Sequence, residues 1–172
     1  YRPDYPVEVI AYLNSQGLLS VDSTVADIGS GTGIFTKLLL DYGNTVYAIE
    51  PNEEMRQNAE NKLSLYPKFN SIDGTGEKTN ISSQSIDAIF LAQSFHWLDR
   101  TKARKEFEFS NSQSLDFEGL LGRLASSSYM PNENHERYDE MHNELKILFK
   151  KHCINKKVKI IYNLILYWGD FS

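Results

Sequence analysis

Val25-Ala26-Asp27-Ile28-Gly29-Ser30-Gly31-Thr32-Gly33 decides the fold of this 172-residue chain. An apolar, strand-like run carries one acid and breaks into three glycines separated by single residues. It then passes at once into the amphipathic run Ile34-Phe35-Thr36-Lys37-Leu38-Leu39-Leu40. That order is strand, tight glycine turn, helix N-terminus. Glycine permits positive φ and close approach of a ligand to the backbone. A helix start presents free N–H groups and the positive end of the dipole. The spacing separates two kinds of ligand. Dinucleotide sites use G-x-G-x-x-G, whereas here the third glycine arrives one residue early and Ile34 occupies the dinucleotide position. Asp27, two residues before the first glycine, would repel a pyrophosphate and attract a cationic amine or sulfonium. The implied ligand is nucleoside-like and positively charged at its reactive end.

Outward from that stretch, continuous apolar strands alternate with helices. The pattern predicts a helix over 6–19 (Val7, Ile10, Ala11, Leu13 and Leu18 on one face), a strand over 24–28, and a helix over 33–42 closed by Gly43-Asn44. A strand over 46–50, a helix over 52–65, and strands over 68–72 and 86–92 follow. Such alternation implies a doubly wound, mostly parallel α/β sheet covered on both faces. Its ligands bind beyond the carboxyl ends of the strands. Glu50 ends the second strand about 20 residues beyond the glycine loop, where an acid takes ribose hydroxyls. The other reading of Glu50 is a helix-capping acid before Pro51-Asn52-Glu53-Glu54.

Four stretches in this order resemble the class I S-adenosylmethionine-dependent methyltransferases. They are Asp27 to Gly33, Ile49-Glu50-Pro51-Asn52-Glu53-Glu54-Met55, Asp73-Gly74-Thr75-Gly76-Glu77, and Ser85-Ile86-Asp87-Ala88-Ile89-Phe90-Leu91-Ala92-Gln93-Ser94-Phe95-His96-Trp97. Together they cover roughly the first hundred residues. The branch they look most like is the small-molecule methyltransferases related to the trans-aconitate and ubiquinone-biosynthesis enzymes. The opening Tyr1-Arg2-Pro3-Asp4-Tyr5-Pro6 is similar to the leader of one such branch. The resemblance implies S-adenosyl-L-methionine as cofactor and methyl transfer to a small-molecule acceptor. It places Gly29, Ser30, Gly31, Thr32 and Gly33 beneath the amino-acid part and ribose of the donor, with Asp27 near its amine. Glu50, followed by Pro51, would take the ribose, Met55 would pack near the adenine, and Asp73-Gly74 would meet the adenine edge. Asp73-Gly74 also fits a plain β-turn. Gln93, Ser94 and Phe95 would close strand four around the donor. His96 would be a general base for an acidic acceptor, or a hydrogen-bonded histidine that shapes the pocket. Trp97, Tyr1, Arg2, Tyr5, Ser128 and Tyr129 would line the acceptor side. Gly76 departs from the branch, which carries alanine there.

The second half fits the pattern less well. A helix over 99–107, a polar and strand-poor segment over 108–114, helices over 115–129 and 134–152, and an alternating strand over 156–167 are expected. The family has a buried parallel strand after the helix near Asp99, and a helical insertion before a segment like Ser112-Gln113-Ser114-Leu115-Asp116-Phe117. The chain lacks both, so part of the sheet is missing near 106–109. A βαβ unit takes ~30 residues or more, which sets the expected deficit, whether deleted or merely unseen. The expected organisation is one methyltransferase domain over 1–172. Residues 1–107 form its donor-binding half; 108–172 supply a helical cap and a C-terminal antiparallel strand.

Composition narrows the alternatives. A net charge of −5 argues against a nucleic-acid partner held mainly by charge. The late cluster Lys150, Lys151, Lys156, Lys157 and Lys159 reads as a solvated face. Cys153 is the sole cysteine, so no intrachain disulfide forms, and no Cys/His cluster has metal-ligand spacing. With no signal peptide and no apolar run near ~18 residues, a cytoplasmic protein with no membrane partner is expected. The chain starts at Tyr1 rather than Met, so a leader is expected to have been removed or to lie upstream. Two other readings stay open: a donor-binding protein without catalysis, and a nicotinamide-dependent oxidoreductase on a similar sheet.

Overall fold

The computed structural model describes residues 5–82, 85–92, 105–125, 130–131 and 133–168. The chain divides into two compact units, Asp4–Lys105 and Glu106–Leu166.

The first unit holds α1 (Glu8–Ser15), β1 (Thr24–Ile28), α2 (Ile34–Tyr42), β2 (Thr45–Ile49), α3 (Glu53–Leu63), β3 (Phe69–Ile72) and β4 (Ala88–Phe90). The strands form one sheet in the order β3-β2-β1-β4, every pair parallel. β1 is central and reads Thr-Val-Ala-Asp-Ile, with Val25, Ala26 and Asp27 buried. Val46, Ala48 and Ile49 of β2 pack beside it, and Leu39, Leu40 and Phe35 of α2 join the same core. The strand order reverses between β2 and β4 on either side of β1, so the crevice for a ligand lies at the carboxyl ends of these strands. Gly29, Glu50, Asp73 and Leu91 all follow strand ends on that edge. This is the parallel α/β sheet expected from the alternation of apolar strands and helices.

Helix α1 is shorter than its apolar periodicity. Gly17, at φ +69°, lets the Leu18 N–H bond the Leu13 carbonyl and its own N–H bond Asn14. Those are the two bonds that end a helix in a left-handed residue. Leu18 is thereby turned out, 36% exposed, and Leu19 enters the core instead. Val7, expected on the buried face, is the exposed N-cap residue. Gly43-Asn44 closes α2 as expected, and buried Asn44 donates to the carbonyls of Ser20 and Ser23.

The second unit holds β5 (Lys105–Leu115), α4 (Phe117–Ala125), α5 (Tyr138–His152) and β6 (Val158–Trp168). β5 and β6 form a two-stranded antiparallel sheet. β5 corrects two expectations. Residues 105–107 are strand rather than helix, and the polar segment 108–114 is strand too. Asn111 and Gln113 are half-buried and Leu115 is buried, whereas Ser110, Ser112 and Ser114 are exposed. That two-residue period, paired with β6, overrides the weak strand propensity of serine and asparagine. The remainder of the expected helix, 99–104, lies outside the described residues. In β6, Val158, Ile160, Tyr162, Leu164 and Leu166 alternate with exposed Lys159, Ile161, Asn163 and Ile165, as the sequence predicts. α4 starts two residues late because Leu115 belongs to the strand and Asp116 caps the helix, its Oδ1 accepting the Gly119 N–H at 2.8 Å.

Among the described residues β4 hydrogen-bonds only β1. The chain runs from 105 to 115 as one unbroken strand.

Candidate functional site

Asp27 is the fourth residue of β1 and wholly buried. Thr36, in the first turn of α2, is equally buried, and its hydroxyl donates to Asp27 Oδ2 at 2.6 Å. Asp27 Oδ1 is buried with no hydrogen-bond partner. Burial pushes the Asp27 carboxyl up to about 6; the Thr36 hydroxyl and N–H pull it down, and the Glu50 charge adds a smaller upward push.

Glu50 follows β2 and is 8% exposed. Its Oε2 accepts the Gly31 N–H at 2.8 Å and its Oε1 accepts the Asn52 N–H at 2.9 Å. Each carboxylate oxygen keeps a second lone pair for a ligand hydroxyl. The helix cap is Asn52 instead, whose side chain accepts from the Met55 N–H.

The glycine loop is held from below. The Gly29 and Ser30 N–H groups both bond the Ile49 carbonyl, and the Gly33 N–H bonds the Ser30 carbonyl. The three loop glycines have φ of +71°, +57° and +80°. Gly33 is also sterically fixed, since a Cβ there would lie 2.8 Å from Leu63 Cδ1 and 3.2 Å from Ala59 Cβ. The loop thus packs on α3, a contact that the motif alone does not reveal.

At the end of β3, Asp73 is exposed and Gly74 is tightly enclosed, its absent Cβ 2.8 Å from the Lys78 carbonyl oxygen. Gly76 is looser: a Cβ there would meet only Ile28 Cγ2, at 3.5 Å. Arg56 of α3 joins β2 to β3. Its Nη1 donates to the Glu50 carbonyl at 2.9 Å and lies 3.4 Å from Asp73 Oδ1. Met55 is half-buried and Pro51 exposed. Tyr5 packs edge-on against Phe35, with ring centroids 4.9 Å apart, and Phe35 meets Phe90 of β4 the same way.

The fold therefore brings Asp27, Gly29, Ser30, Gly31, Thr32, Gly33, Glu50, Pro51, Met55, Asp73 and Gly74 to one sheet edge. Tyr1, Arg2, Gln93, Ser94, Phe95, His96, Trp97, Ser128 and Tyr129 lie outside the described residues. Sequence reasoning missed Thr36 and Arg56. The signal for Thr36 was its place three residues after Gly33, in the first helical turn, where a side chain can turn back to the strand end. Arg56 carried no such signal, because a cation in α3 looks like an ordinary solvated residue.

The residues present suit a cationic nucleoside. Asp27 Oδ1 is a buried acceptor with nothing to accept, which an amine would satisfy. A pyrophosphate has no counterpart here: the amides of residues 29, 30, 31 and 33 already donate within the protein, and both nearby acids would oppose its charge. Among the described residues, no group of three or more His, Cys, Asp or Glu side chains gathers as a metal site would, and no helix is long and apolar enough to cross a membrane.

The sequence model of the methyltransferase domain matches residues 26–108, stopping just inside β5. An uncharacterized methyltransferase of Mycobacterium tuberculosis is 35% identical over 105 residues, covering 61% of this chain and 40% of that protein. An uncharacterized methyltransferase-like protein of Schizosaccharomyces pombe is 28% identical over 109 residues, with the same shares covered. Among solved structures, a putative methyltransferase from an antibiotic biosynthesis pathway of Anabaena variabilis is 33% identical with a TM-score of 0.41, covering 52% of this chain and 34% of that one. The chain spans about two-fifths of the length of these curated relatives.

Proposed function

We propose that the protein is a class I S-adenosylmethionine-dependent methyltransferase and transfers a methyl group from S-adenosylmethionine to a small-molecule acceptor by in-line displacement, a reading supported by the match of residues 26–108 to the methyltransferase domain. The observation that carries this reading is the pair of acids on one sheet edge: Asp27 with a buried oxygen left unpartnered, and Glu50 locked to the glycine loop. The cofactor, when bound, supplies a methyl already activated on a sulfonium. Positioning and exclusion of water are then what the protein must contribute. Asp27 holds the donor amine and Glu50 accepts from the ribose hydroxyls. Gly29 to Gly33 keep side chains clear of the donor, Met55 packs beside the adenine, and Asp73 with Gly74 borders its edge. His96 is assigned as general base for the acceptor, and acceptor choice is assigned to 108–172, including Ser128 and Tyr129. The net charge of −5 supports a small molecule over a nucleic acid.

A second reading, a donor-binding protein without turnover, draws support from β4, which among the described residues has no strand on its outer side. The deciding experiment gives the full chain labelled S-adenosylmethionine and a panel of carboxylate, phenolic, amine and RNA acceptors, with S-adenosylhomocysteine binding measured in parallel. Methylation of a small molecule is expected. Label appearing only in RNA would overturn the acceptor class. Binding without turnover would favour the second reading, and a nicotinamide dinucleotide displacing S-adenosylhomocysteine would overturn both.

A further inference from the structure

Thr36 is the one side chain that touches the Asp27 carboxylate among the described hydrogen bonds, and the contact is asymmetric. Its hydroxyl takes Oδ2 at 2.6 Å, both residues are wholly buried, and Oδ1 is left without a partner. A buried hydroxyl needs a reason to be there, since valine would fill the same space without a polar atom. On the strand side the residues in register with Asp27 are Ala48 of β2 and Phe90 of β4, neither of which can hydrogen-bond through its side chain. The charged group acting on Asp27 from a neighbouring element is Glu50, whose effect is to oppose ionisation. Thr36 is thus the local group that favours the charged carboxylate and fixes which oxygen remains open.

We propose that Thr36 is a positioning residue for donor binding: its hydroxyl anchors Asp27 Oδ2, so that an ionised Oδ1 alone is presented to the donor's cationic amine. The inference rests on the donor-binding reading above. It adds a distinct consequence, that donor affinity depends on the ionisation of Asp27 and that Thr36 sets where that dependence falls.

The test is calorimetry of S-adenosylhomocysteine with the full chain between pH 5 and 8.5, for wild type, T36V, T36S and D27N. Wild-type affinity should weaken as pH falls through about 6, where Asp27 takes up a proton. In T36V the hydrogen bond to the charged form is gone, so the midpoint should rise by about one pH unit or more. T36S keeps the hydroxyl and should keep the wild-type midpoint. D27N should bind weakly and lose the pH dependence around 6. A purely structural role for Thr36 would lower T36V affinity equally at every pH, and that result would overturn the proposal. So would a T36S midpoint displaced as far as that of T36V, or an undiminished dependence around pH 6 in D27N, which remains informative even where T36V does not fold. Absence of binding by the wild type at every pH would instead bring down the donor-binding reading itself, and the proposal with it.

Discussion

The two compact units bury different things. In Asp4–Lys105 four of the described polar side chains are buried: Asp27, Thr36, Asn44 and Glu50. In Glu106–Leu166 no described polar side chain is buried, and among the described apolar side chains only Leu115 and Phe149 are buried. The second unit rests on one face of a two-stranded sheet and on edge-on contacts of Phe117 with Phe149 and His142. The difference locates the chemistry. Charges and dipoles act strongly only where water is excluded, so a pair of acids that must discriminate between ligands belongs in the unit with the closed core.

That contrast can be broken most directly by hydrogen exchange on the full chain. Backbone amides of Val25, Val46 and Ala48 should be protected roughly a hundredfold more than those of Ile160 and Tyr162, because local opening follows the depth of packing. Equal protection would erase the distinction. Next in size is Gly33→Ala. Positive φ costs about 1–2 kcal/mol for an L side chain, and the clash with Leu63 adds overpacking strain of about 1–3 kcal/mol. Urea denaturation should show the loss, and an unchanged midpoint would mean that the loop does not need its packing on α3.

Asp27→Asn sharpens the comparison further, because it should stabilise the free protein while harming donor binding. The folded-state value of about 6 lies above the ordinary 3.8. The folded protein therefore holds the proton more tightly than the unfolded chain does. Its contribution to stability is fully present below about pH 4 and lost as pH rises through about 6, a penalty of about 3 kcal/mol at neutral pH. The asparagine variant should recover about 1–3 kcal/mol at pH 7.5 and show a flatter stability profile between pH 4 and 6. Destabilisation at pH 7.5 would contradict this. Arg56→Met should weaken S-adenosylhomocysteine binding a few-fold, through loss of the bond to the Glu50 carbonyl, worth about 1 kcal/mol. The smallest effect is Gly76→Ala, which should stabilise by about 0.4–1 kcal/mol, since only an ordinary contact awaits the new Cβ. A fall in melting temperature would show that the turn needs glycine.

Legibility from sequence follows the same division. β1, β2, α2 and α3 appear within a residue or two of their expected bounds, because their strands are continuously apolar and their ends carry glycine or a capping asparagine. The glycine loop and both acids were readable for the same reason. What sequence could not show was which groups hold them: Thr36 beneath Asp27, the Gly31 and Asn52 amides on Glu50, and Arg56 behind its carbonyl. Those contacts, 2 to 19 residues apart in the chain, depend on how each helix start turns back onto a strand end, which periodicity does not encode. In the second unit β5 is strand where the sequence suggests the end of a helix and a polar, strand-poor segment, because its strand character comes from pairing with β6, over forty residues later, and not from its own serines and asparagine. β6 was readable because its alternation is its own.

The grip of Glu50 and Asp27 on a cationic nucleoside donor at the carboxyl edge of the parallel sheet is the proposal on which the rest depends. Calorimetry of S-adenosylhomocysteine with the wild-type chain and with Glu50→Ala addresses it most directly. The wild type should bind, and the variant should bind roughly tenfold to a hundredfold more weakly, as expected for hydrogen bonds to a charged group. Equal affinity in the two proteins would contradict it.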